Sequence, residues 1–305
     1  MQKLTIFALV GFFAQLIDGS LGMGFGATSS SLLLSAGIAP VIASATIHIS
    51  QIATTAASGI SHLKFGNVDK PLMLRLALPG ALTSFLGAAL LSSLDGDTIK
   101  PFISLFLLTM GFYVLYQFLF KREMKNGFQN KKVSGLLSIP LGGVAGFLDS
   151  IGGGGWGPVN TPVLLSRKKI EARKVVGTVS SSEFIVTISA SAGFFIFLGF
   201  SQISWGLVIA LALGGVIAAP FAAWLVKVIP LYFLAVFVGG LIIFTNSNIL
   251  LDTFFQNSAL PVFINSLVIV MWGGLLVYAY HKNKRNLALQ THQNEKINLQ
   301  EMNEI

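Results

Sequence analysis

An acidic residue in the middle of a long apolar stretch is the first feature that could do chemistry. Glu183 lies ten residues or so into the apolar segment that begins at Lys174, and Gln51 has a similar place in the segment that begins at Pro40. At a rise of about 1.5 Å per residue, both side chains reach the middle of a bilayer if these segments are membrane helices. A carboxyl group there is costly and marks a functional site by default. We predict that Glu183 binds substrate or carries a proton; the alternative is a neutral, buried Glu with a structural hydrogen bond.

Polar side chains beside these two residues add hydrogen-bond donors. His48 lies one helical turn before Gln51, and Ser182 directly precedes Glu183. Both belong to the predicted substrate site, although His48 fits equally well as an interior histidine with structural partners. The absence of cysteine excludes thiolate metal sites and cysteine nucleophiles, and we expect neither a metal nor a cofactor.

Two glycine-rich segments carry side chains that could surround a ligand. A helix that breaks at such a segment leaves unpaired N–H groups at the start of its second half, where the helix dipole also favours anions. Glycine lets a ligand approach the backbone closely. The alternative is that these glycines only permit tight helix packing. The predicted anion site comprises Gly24, Phe25, Gly26, Thr28 and Ser29 in the first segment, and Gly155, Trp156, Gly157 and Asn160 in the second.

Two aspartates, Asp18 and Asp149, end the first halves of these broken helices. The helix dipole is negative there, so an ionised carboxylate needs compensation. A coupling cation or a proton would supply it, which makes both residues candidates for ion coupling beside Glu183. Equally, each carboxylate could cap N–H groups of the neighbouring half-helix or loop.

The composition indicates which class of protein, and so which kind of helix, positions these residues. The chain of 305 residues is 53% hydrophobic and only 10% charged, with a mean hydropathy of +0.76. A soluble domain carries roughly 25% charged residues, so the composition excludes a soluble protein and predicts an all-α integral membrane protein. The net charge of +8 comes from basic residues in short loops, which favours membrane topology over nucleic-acid binding. The expected partners are a small anionic substrate and membrane lipid, with homo-oligomerisation left open.

Apolar stretches of membrane-spanning length recur along the chain. Two further regions, Leu4–Ala36 and Val133–Ser166, are interrupted by glycine, and we expect pieces of about 11–16 residues that are too short to cross alone. The seven predicted spans are Pro40–Leu63, Pro71–Leu94, Thr98–Phe120, Lys174–Gly199, Ser204–Val226, Pro230–Leu250 and Leu260–Tyr280.

The two interrupted regions are copies of each other. Leu9–Ser35 aligns with Pro140–Ser166 without a gap at a spacing of 131 residues, which places Asp18 on Asp149. The similarity continues downstream at nearby spacings and aligns Gln51 with Glu183. The sequence therefore contains a duplicated membrane unit.

The basic residues predict the orientation of these units. If both interrupted regions enter the membrane and return as hairpins, 18 of the 20 Lys and Arg residues lie on the cytoplasmic side. The N-terminus is then outside, the C-terminus inside, and the two units are inverted, as in many secondary transporters. Each unit has a broken-helix hairpin and three transmembrane helices. The predicted parts are a first repeat over 1–120, a basic cytoplasmic linker over 121–132, a second repeat over 133–250, an extra helix over 251–280 and a polar cytoplasmic tail over 281–305.

The segment Leu148–Leu165, with its weaker copy Ile17–Leu34, resembles the sulfite exporter TauE/SafE family. The resemblance covers about Leu4–Tyr280. It implies a secondary carrier of sulfite, sulfonates or other sulfur-containing or organic anions in the plasma membrane. The first copy lacks the contiguous glycines of Gly152–Gly155, and the motifs describe the scaffold better than the substrate.

A secondary anion transporter that works by alternating access is the function we expect, rather than an enzyme. The alternatives are a passive anion channel and, further off, an intramembrane aspartyl enzyme that uses Asp18 and Asp149 as a dyad. Export is the favoured direction because each negative charge that leaves a negative interior gains about 2.3 kcal/mol per 100 mV.

Cysteine labelling tests the inverted topology, because the chain has no cysteine of its own. Ser35→Cys and Ser166→Cys follow equivalent hairpins and are expected to react with a membrane-impermeant maleimide from opposite faces of the membrane. Labelling of both from one face would refute the inverted repeat.

Overall fold

The chain folds into α-helices. The computed structural model describes residues 2–117, 119, 133–167, 170–228, 231–255 and 258–303. These residues form eleven α-helices and no strand, with one 3₁₀ turn at Phe200–Gln202. The helices are α1 Gln2–Leu21, α2 Phe25–Ser35, α3 Pro40–Lys64, α4 Lys70–Ser93, α5 Gly96–Tyr116, α6 Gly135–Gly152, α7 Trp156–Ser166, α8 Ala172–Phe197, α9 Trp205–Val228, α10 Leu231–Phe254 and α11 Leu260–Asn303. The predicted all-α class is confirmed.

Several helices have the length and apolarity of membrane spans. Within the described ranges, six qualify: α4, α5, α6, α8, α10 and α11. Helix α9 is apolar over Trp205–Ala219. Helix α3 is 25 residues long, but it buries polar side chains such as His48 and Gln51 inside the protein. Each of the seven predicted spans therefore corresponds to a helix, and the most polar of them lies inside the bundle.

The two interrupted regions break where the glycines predict, but into unequal pieces. Helices α2 and α7 have 11 residues each, whereas α1 has 20 and α6 has 18. The prediction that every piece is too short to cross was therefore wrong for α6, which qualifies as a span. The physical reason is that glycines within α1 and α6 pack against other helices and do not interrupt the helix. Helix α11 continues to Asn303, well into the predicted tail, and the predicted linker over 121–132 lies outside the described residues.

The chain reverses between α6 and α7. The backbone N–H of Asp69, just before α4, donates to Thr178 Oγ1 near the start of α8 (2.9 Å). Arg75 Nη1, also near the start of α4, donates to the carbonyl oxygen of Val133, just before α6 (3.2 Å). Helices α6 and α8 therefore begin at the same end of the molecule. Because only the short segment 167–171 joins α7 to α8, α7 must run back toward that end.

Each hairpin packs against a helix of the other repeat. A Cβ atom added to Gly142 on α6 would lie 2.8 Å from the Cα atom of Leu76 on α4. A Cβ atom added to Gly11 on α1 would lie 2.8 Å from the Cα atom of Leu211 on α9. Gly11 and Gly142 are equivalent in the two repeats, and so are Leu76 and Leu211. The two repeats are thus interlocked through a pair of matching backbone contacts.

Helices α3 and α8, which are counterparts in the two repeats, cross in opposite directions. The ring of His48, toward the start of α3, packs against Phe194 near the end of α8, with centroids 5.9 Å apart. Ser58, toward the end of α3, hydrogen-bonds to Ser180 near the start of α8 (2.7 Å). The centre of the molecule is therefore an antiparallel pair of equivalent helices.

The remaining helices flank this centre. Helix α5 packs against α10, where Gly111 lies on the backbone of Gly239. Helix α11 lies outside α10, and Trp272 Nε1 donates to the carbonyl oxygen of Val236 (3.2 Å). The apolar part of α11 packs against α10 on one side, through residues such as Ala279, and exposes large apolar side chains such as Phe263 and Val270 on the other.

Two adjacent glycines on α6 test the helix contact that locks the hairpin. Gly142→Ala adds a Cβ that overlaps the Leu76 backbone, and overpacking of this kind costs about 1–3 kcal/mol. We expect a clearly lower melting temperature for the purified protein. Gly143→Ala is the control, because its Cβ would make only ordinary contacts, at 3.7 Å from Thr83 and 3.9 Å from Pro79. Equal melting temperatures for the two variants would contradict the proposed close contact.

Candidate functional site

Each hairpin has a tip, which consists of the turn between its two helices and the first turns of the second helix. The first tip lies between α1 and α2, and the second between α6 and α7. The two tips touch each other at the backbone. Gly26 lies directly on the backbone of Gly153 and Gly154, and a Cβ added to Gly157 would lie 2.9 Å from the Cα atom of Met23. These are equivalent contacts in the two repeats. Both reversals use a glycine in the left-handed region, Gly22 at φ +70° and Gly153 at φ +71°. The tips predicted from sequence are thus adjacent, and side chains are excluded where they meet.

The second tip is closed by Asp149. Its Oδ1 accepts hydrogen bonds from the backbone N–H groups of Gly155 (2.7 Å) and Trp156 (2.9 Å), which begin α7. Of the two interpretations of this aspartate, the structure shows the capping geometry. The carboxylate occupies the amides that were predicted to hold an anion.

The other oxygen of Asp149 pairs with His48 on α3. The distance from His48 Nε2 to Asp149 Oδ2 is 3.2 Å, and both side chains are buried. His48 Nδ1 lies 2.8 Å from the carbonyl oxygen of Ser44. This pair fastens the second tip to α3.

The polar groups of the first tip have fewer hydrogen-bond partners than those of the second. Asp18 Oδ1 lies 3.5 Å from the N–H of Phe25, so its cap is long. The residue equivalent to His48 is Ser180, whose hydroxyl bonds to Ser58. In addition, Thr28 Oγ1 and Ser29 Oγ, in the first turns of α2, are buried and have no hydrogen-bond partner. The first tip therefore keeps hydroxyl donors available where the second has satisfied its amides internally.

The predicted pair of Gln51 and Glu183 meets at the crossing of α3 and α8. Gln51 Nε2 donates to Glu183 Oε1 at 3.2 Å, and one turn later Thr55 and Thr187 lie 3.5 Å apart through their hydroxyl oxygens. In each pair the two residues are counterparts in the two repeats, 132 residues apart. Gln51 Oε1 is buried and has no partner.

The other predicted residues have scaffold contacts as well. Trp156 is fully buried, and its Nε1 donates to the carbonyl oxygen of Val179 (3.0 Å), which also accepts from Ser182 Oγ (2.7 Å). Asn160 Nδ2 donates to the carbonyl oxygen of Trp156 (3.0 Å), which leaves Asn160 Oδ1 buried without a partner. Phe25 is buried in the core beside Gly215.

Gly24 and Gly155 support the turns themselves. Gly24 has a φ of +129°, and a Cβ added to Gly155 would lie 2.7 Å from the backbone nitrogen of Asp149. A side chain at either position would disturb the tip itself as well as the approach of a ligand. Both glycines are thus needed for the shape of the tips.

Negative charge concentrates at this centre. The carboxyl groups of Asp18, Asp149 and Glu183 are close enough for their charges to repel one another. An anion could bind among them only if protons or cations reduced that charge. In the part of the chain that the structure describes, no cluster of three or more His, Asp or Glu residues could hold a metal ion.

Sequence reasoning missed some polar contacts at the tips. Thr161 Oγ1 donates to the carbonyl oxygen of Gly22 (3.2 Å) and ties α7 to the first tip. Asn246, in the apolar helix α10, donates to Ser31 on α2 (2.7 Å). The signal in the sequence for Asn246 is an amide in the middle of an apolar segment, the same kind of position as that of Gln51.

Comparison with known proteins agrees with this architecture. The family described as "Sulfite exporter TauE/SafE" matches residues 7–249. A Bacillus subtilis (strain 168) protein named "Probable membrane transporter protein YtnM" is 49% identical over 300 residues, which cover 97% of this chain and 100% of that protein. "Probable membrane transporter protein ORF9" from Sinorhizobium sp is 25% identical over 217 residues, or 71% of this chain and 80% of that protein. No solved structure matches.

The family match spans the hairpins, the central crossing and most of α10, and the similarity to the Bacillus protein extends over nearly the whole chain. The family and the names of both relatives agree on one class of protein, and this chain is a membrane transporter. The chain therefore belongs to the sulfite exporter TauE/SafE family.

Proposed function

We propose that this protein is a secondary transporter of small sulfur-containing or organic anions that exports them across the plasma membrane. The observation that carries the proposal is the pair of unpartnered, buried hydroxyls of Thr28 and Ser29 at the start of α2. An unsatisfied buried polar group costs about 1–3 kcal/mol, so a ligand that accepts hydrogen bonds there would recover that free energy.

The anion binds at the first tip rather than equally at both. The start of α7 already holds the carboxylate of Asp149 on its amides of Gly155 and Trp156. The start of α2 has only the long contact from Asp18 to Phe25, together with the positive end of the helix dipole. Sulfite, sulfonates and carboxylates all offer several acceptor oxygens to such a set of donors.

Glu183 carries the proton that makes anion binding compatible with the carboxyl cluster. A protonated Glu183 could donate its O–H to Gln51 Oε1, which lacks a partner, while Gln51 Nε2 donates to Glu183 Oε1 as observed. The resulting acid–amide pair would satisfy both side chains. An ionised Glu183 would leave Gln51 Oε1 unsatisfied and repel the anion, so proton and anion binding are coupled.

Alternating access follows from the arrangement of the repeats. Helices α3 and α8 are antiparallel counterparts, and each hairpin packs on a helix of the other repeat. Both features support inverted repeats, so that exchange of the two repeat conformations opens the site to either side in turn. The distribution of Lys and Arg supports an N-terminus outside and a C-terminus inside. Export needs no coupling ion for a divalent anion when the interior is negative.

The hydroxyls of the first tip are tested by Thr28→Val and Ser29→Ala. A hydrogen bond to a charged group is worth about 1.5–3 kcal/mol, so each variant should weaken anion affinity roughly tenfold or more. Affinity is measured as half-saturation in counterflow of radiolabelled sulfite and small sulfonates in proteoliposomes. Thr109→Val is the matched control, since Thr109 is exposed on α5 and its hydroxyl bonds to the carbonyl oxygen of Leu105. Unchanged affinity in both tip variants would refute the first-tip site, and absence of counterflow for every anion would refute the transported class.

The proton site is tested by Glu183→Gln, which mimics the protonated acid. In the unaltered protein, binding should tighten as pH falls from about 8 to about 5, because protonation removes a negative charge beside the anion. The variant should keep tight binding, lose most of this pH dependence and slow the step in which the proton leaves. Glu171→Gln is the control, because Glu171 is an exposed acid that pairs with Arg173. A pH profile that survives unchanged in Glu183→Gln would assign the proton to Asp18 or Asp149 instead.

A further inference from the structure

A line of polar side chains runs between α3 and α8 from Glu183 to one face of the protein. Ser180 lies one helical turn before Glu183 on α8, and its hydroxyl bonds to that of Ser58 on α3 (2.7 Å). His62 lies one further turn along α3, close to the end of that helix. Residues three or four positions apart are neighbours on a helix surface. The carboxyl group, the serine pair and the imidazole therefore follow one another from the centre of the molecule toward the face where α4, α6 and α8 begin.

The near symmetry of the repeats places His62 beside Ser180. His62 is the counterpart of Phe194, and Ser180 is the counterpart of His48, at the same spacing of 132 residues as the central pair. The rings of His48 and Phe194 are in contact, with centroids 5.9 Å apart. The repeat relation therefore puts the imidazole of His62 against the hydroxyl of Ser180 in the other half of the protein.

The groups in this line have the chemistry that a proton relay requires. Either hydroxyl of the Ser58–Ser180 pair can be the donor, so the hydrogen bond can reverse. His62 is half-buried, and its Nδ1 is buried without a hydrogen-bond partner. An imidazole can accept a proton on one nitrogen and release one from the other. Its position at the end of the line makes it the group that exchanges protons with water.

The two sides of Glu183 differ in accessibility. Glu183 and Ser180 each retain 7% of their accessible surface. Thr187, one turn beyond Glu183 on α8, and Phe194 further along that helix are fully enclosed. In this conformation the carboxyl group is therefore reached from the side of His62 and closed off from the opposite side.

Charged groups lie at both ends of the line. At the centre, Asp18 on α1 and Asp149 on α6 are close enough to Glu183 to repel its charge. At the other end, Lys64 is the charged residue next to His62 along the chain, and it is exposed. A proton delivered to the central carboxyl group lowers the repulsion there before an anion binds.

We propose that His62 is the entrance of a proton path that loads Glu183 through the hydroxyls of Ser58 and Ser180. A proton from water binds one nitrogen of His62, the other nitrogen releases a proton to the serine pair, and the carboxylate of Glu183 becomes a carboxylic acid. One proton moves from water to Glu183, and the imidazole and both hydroxyls end as they began. The entrance lies on the cytoplasmic face in the proposed topology. This inference rests on the proposed function, in which Glu183 takes up a proton together with the anion.

Net efflux and counterflow separate proton transfer from anion binding. Net efflux of radiolabelled sulfite or a small sulfonate from proteoliposomes requires Glu183 to gain and lose its proton in every cycle, whereas counterflow exchanges anions while the proton stays bound. His62→Phe introduces the residue of the equivalent position in the other repeat, which cannot carry a proton. It should slow net efflux about a hundredfold and leave the half-saturation of counterflow unchanged.

Chemical rescue distinguishes a proton carrier from a structural residue. His62→Ala should slow net efflux to a similar extent, and added imidazole should restore it at least about tenfold because the free base replaces the missing ring. Ser180→Ala interrupts the path at its middle and should also slow net efflux while counterflow persists. His281→Ala is the control, because His281 is an exposed histidine on α11.

Three results would overturn this inference. Net efflux at the unaltered rate in both His62 variants would show that protons do not pass this residue. An equal loss of net efflux and counterflow, without rescue by imidazole, would assign His62 a structural role. If the unaltered protein shows counterflow for none of these anions, the proposed function fails and this inference fails with it.

Discussion

Helices that break inside a membrane must satisfy their exposed backbone groups without help from water, and this constraint governs the centre of the molecule. At the second tip a carboxylate of the protein satisfies these backbone groups. Asp149 accepts hydrogen bonds from the two amides at the start of α7, and His48 contacts its other oxygen. At the first tip the corresponding contact from Asp18 is long, and two hydroxyls remain without partners. The second tip is therefore stabilised by its own carboxylate, whereas the first tip retains two hydroxyls without partners, which is the basis of the proposed anion site.

Duplication explains why such a difference can exist within a nearly symmetric scaffold. The packing contacts have been kept in both halves, as in the glycine pair Gly11 and Gly142, which touch equivalent leucine backbones. The residues that could do chemistry have diverged: Glu183 faces its counterpart Gln51, and the counterpart of His48 is a serine. Under the proposed function, the symmetric packing would permit two equivalent conformations of the repeats, and the asymmetric side chains would bind one anion and one proton.

Much of this architecture can be predicted from the residue pattern, because a duplicated sequence must fold into two similar units. The spacing of 131 residues predicted two equivalent tips, and the downstream similarity aligned Gln51 with Glu183. The structure brings each of these equivalent pairs into contact. Helices α1 and α6 are longer than the predicted pieces of about 11–16 residues, and within them glycines such as Gly142 serve close helix contact. Each hairpin packs against a helix of the other repeat, and this pairing cannot be predicted from the order of residues along the chain.

The role of Asp149 shows where sequence reasoning ends. A carboxylate seven residues before the start of a half-helix can cap its amides or bind a cation, and the sequence is compatible with both interpretations. Three-dimensional distances decide between them, since Asp149 Oδ1 lies within 3 Å of both amide nitrogens. An apolar cavity beside Thr28 likewise forms where α10 packs near α1 and α2, which are more than 190 residues earlier in the chain, so no local sequence pattern predicts it.

The most direct test of the account is an experimental structure of the full chain with a bound anion that carries a heavy scatterer, such as a bromoalkylsulfonate. The account predicts sulfonate oxygens within hydrogen-bond distance of Thr28 Oγ1 and Ser29 Oγ, with the Asp149 carboxylate still on the amides of Gly155 and Trp156. A sulfonate found on those amides of α7, with Asp149 displaced, would contradict it.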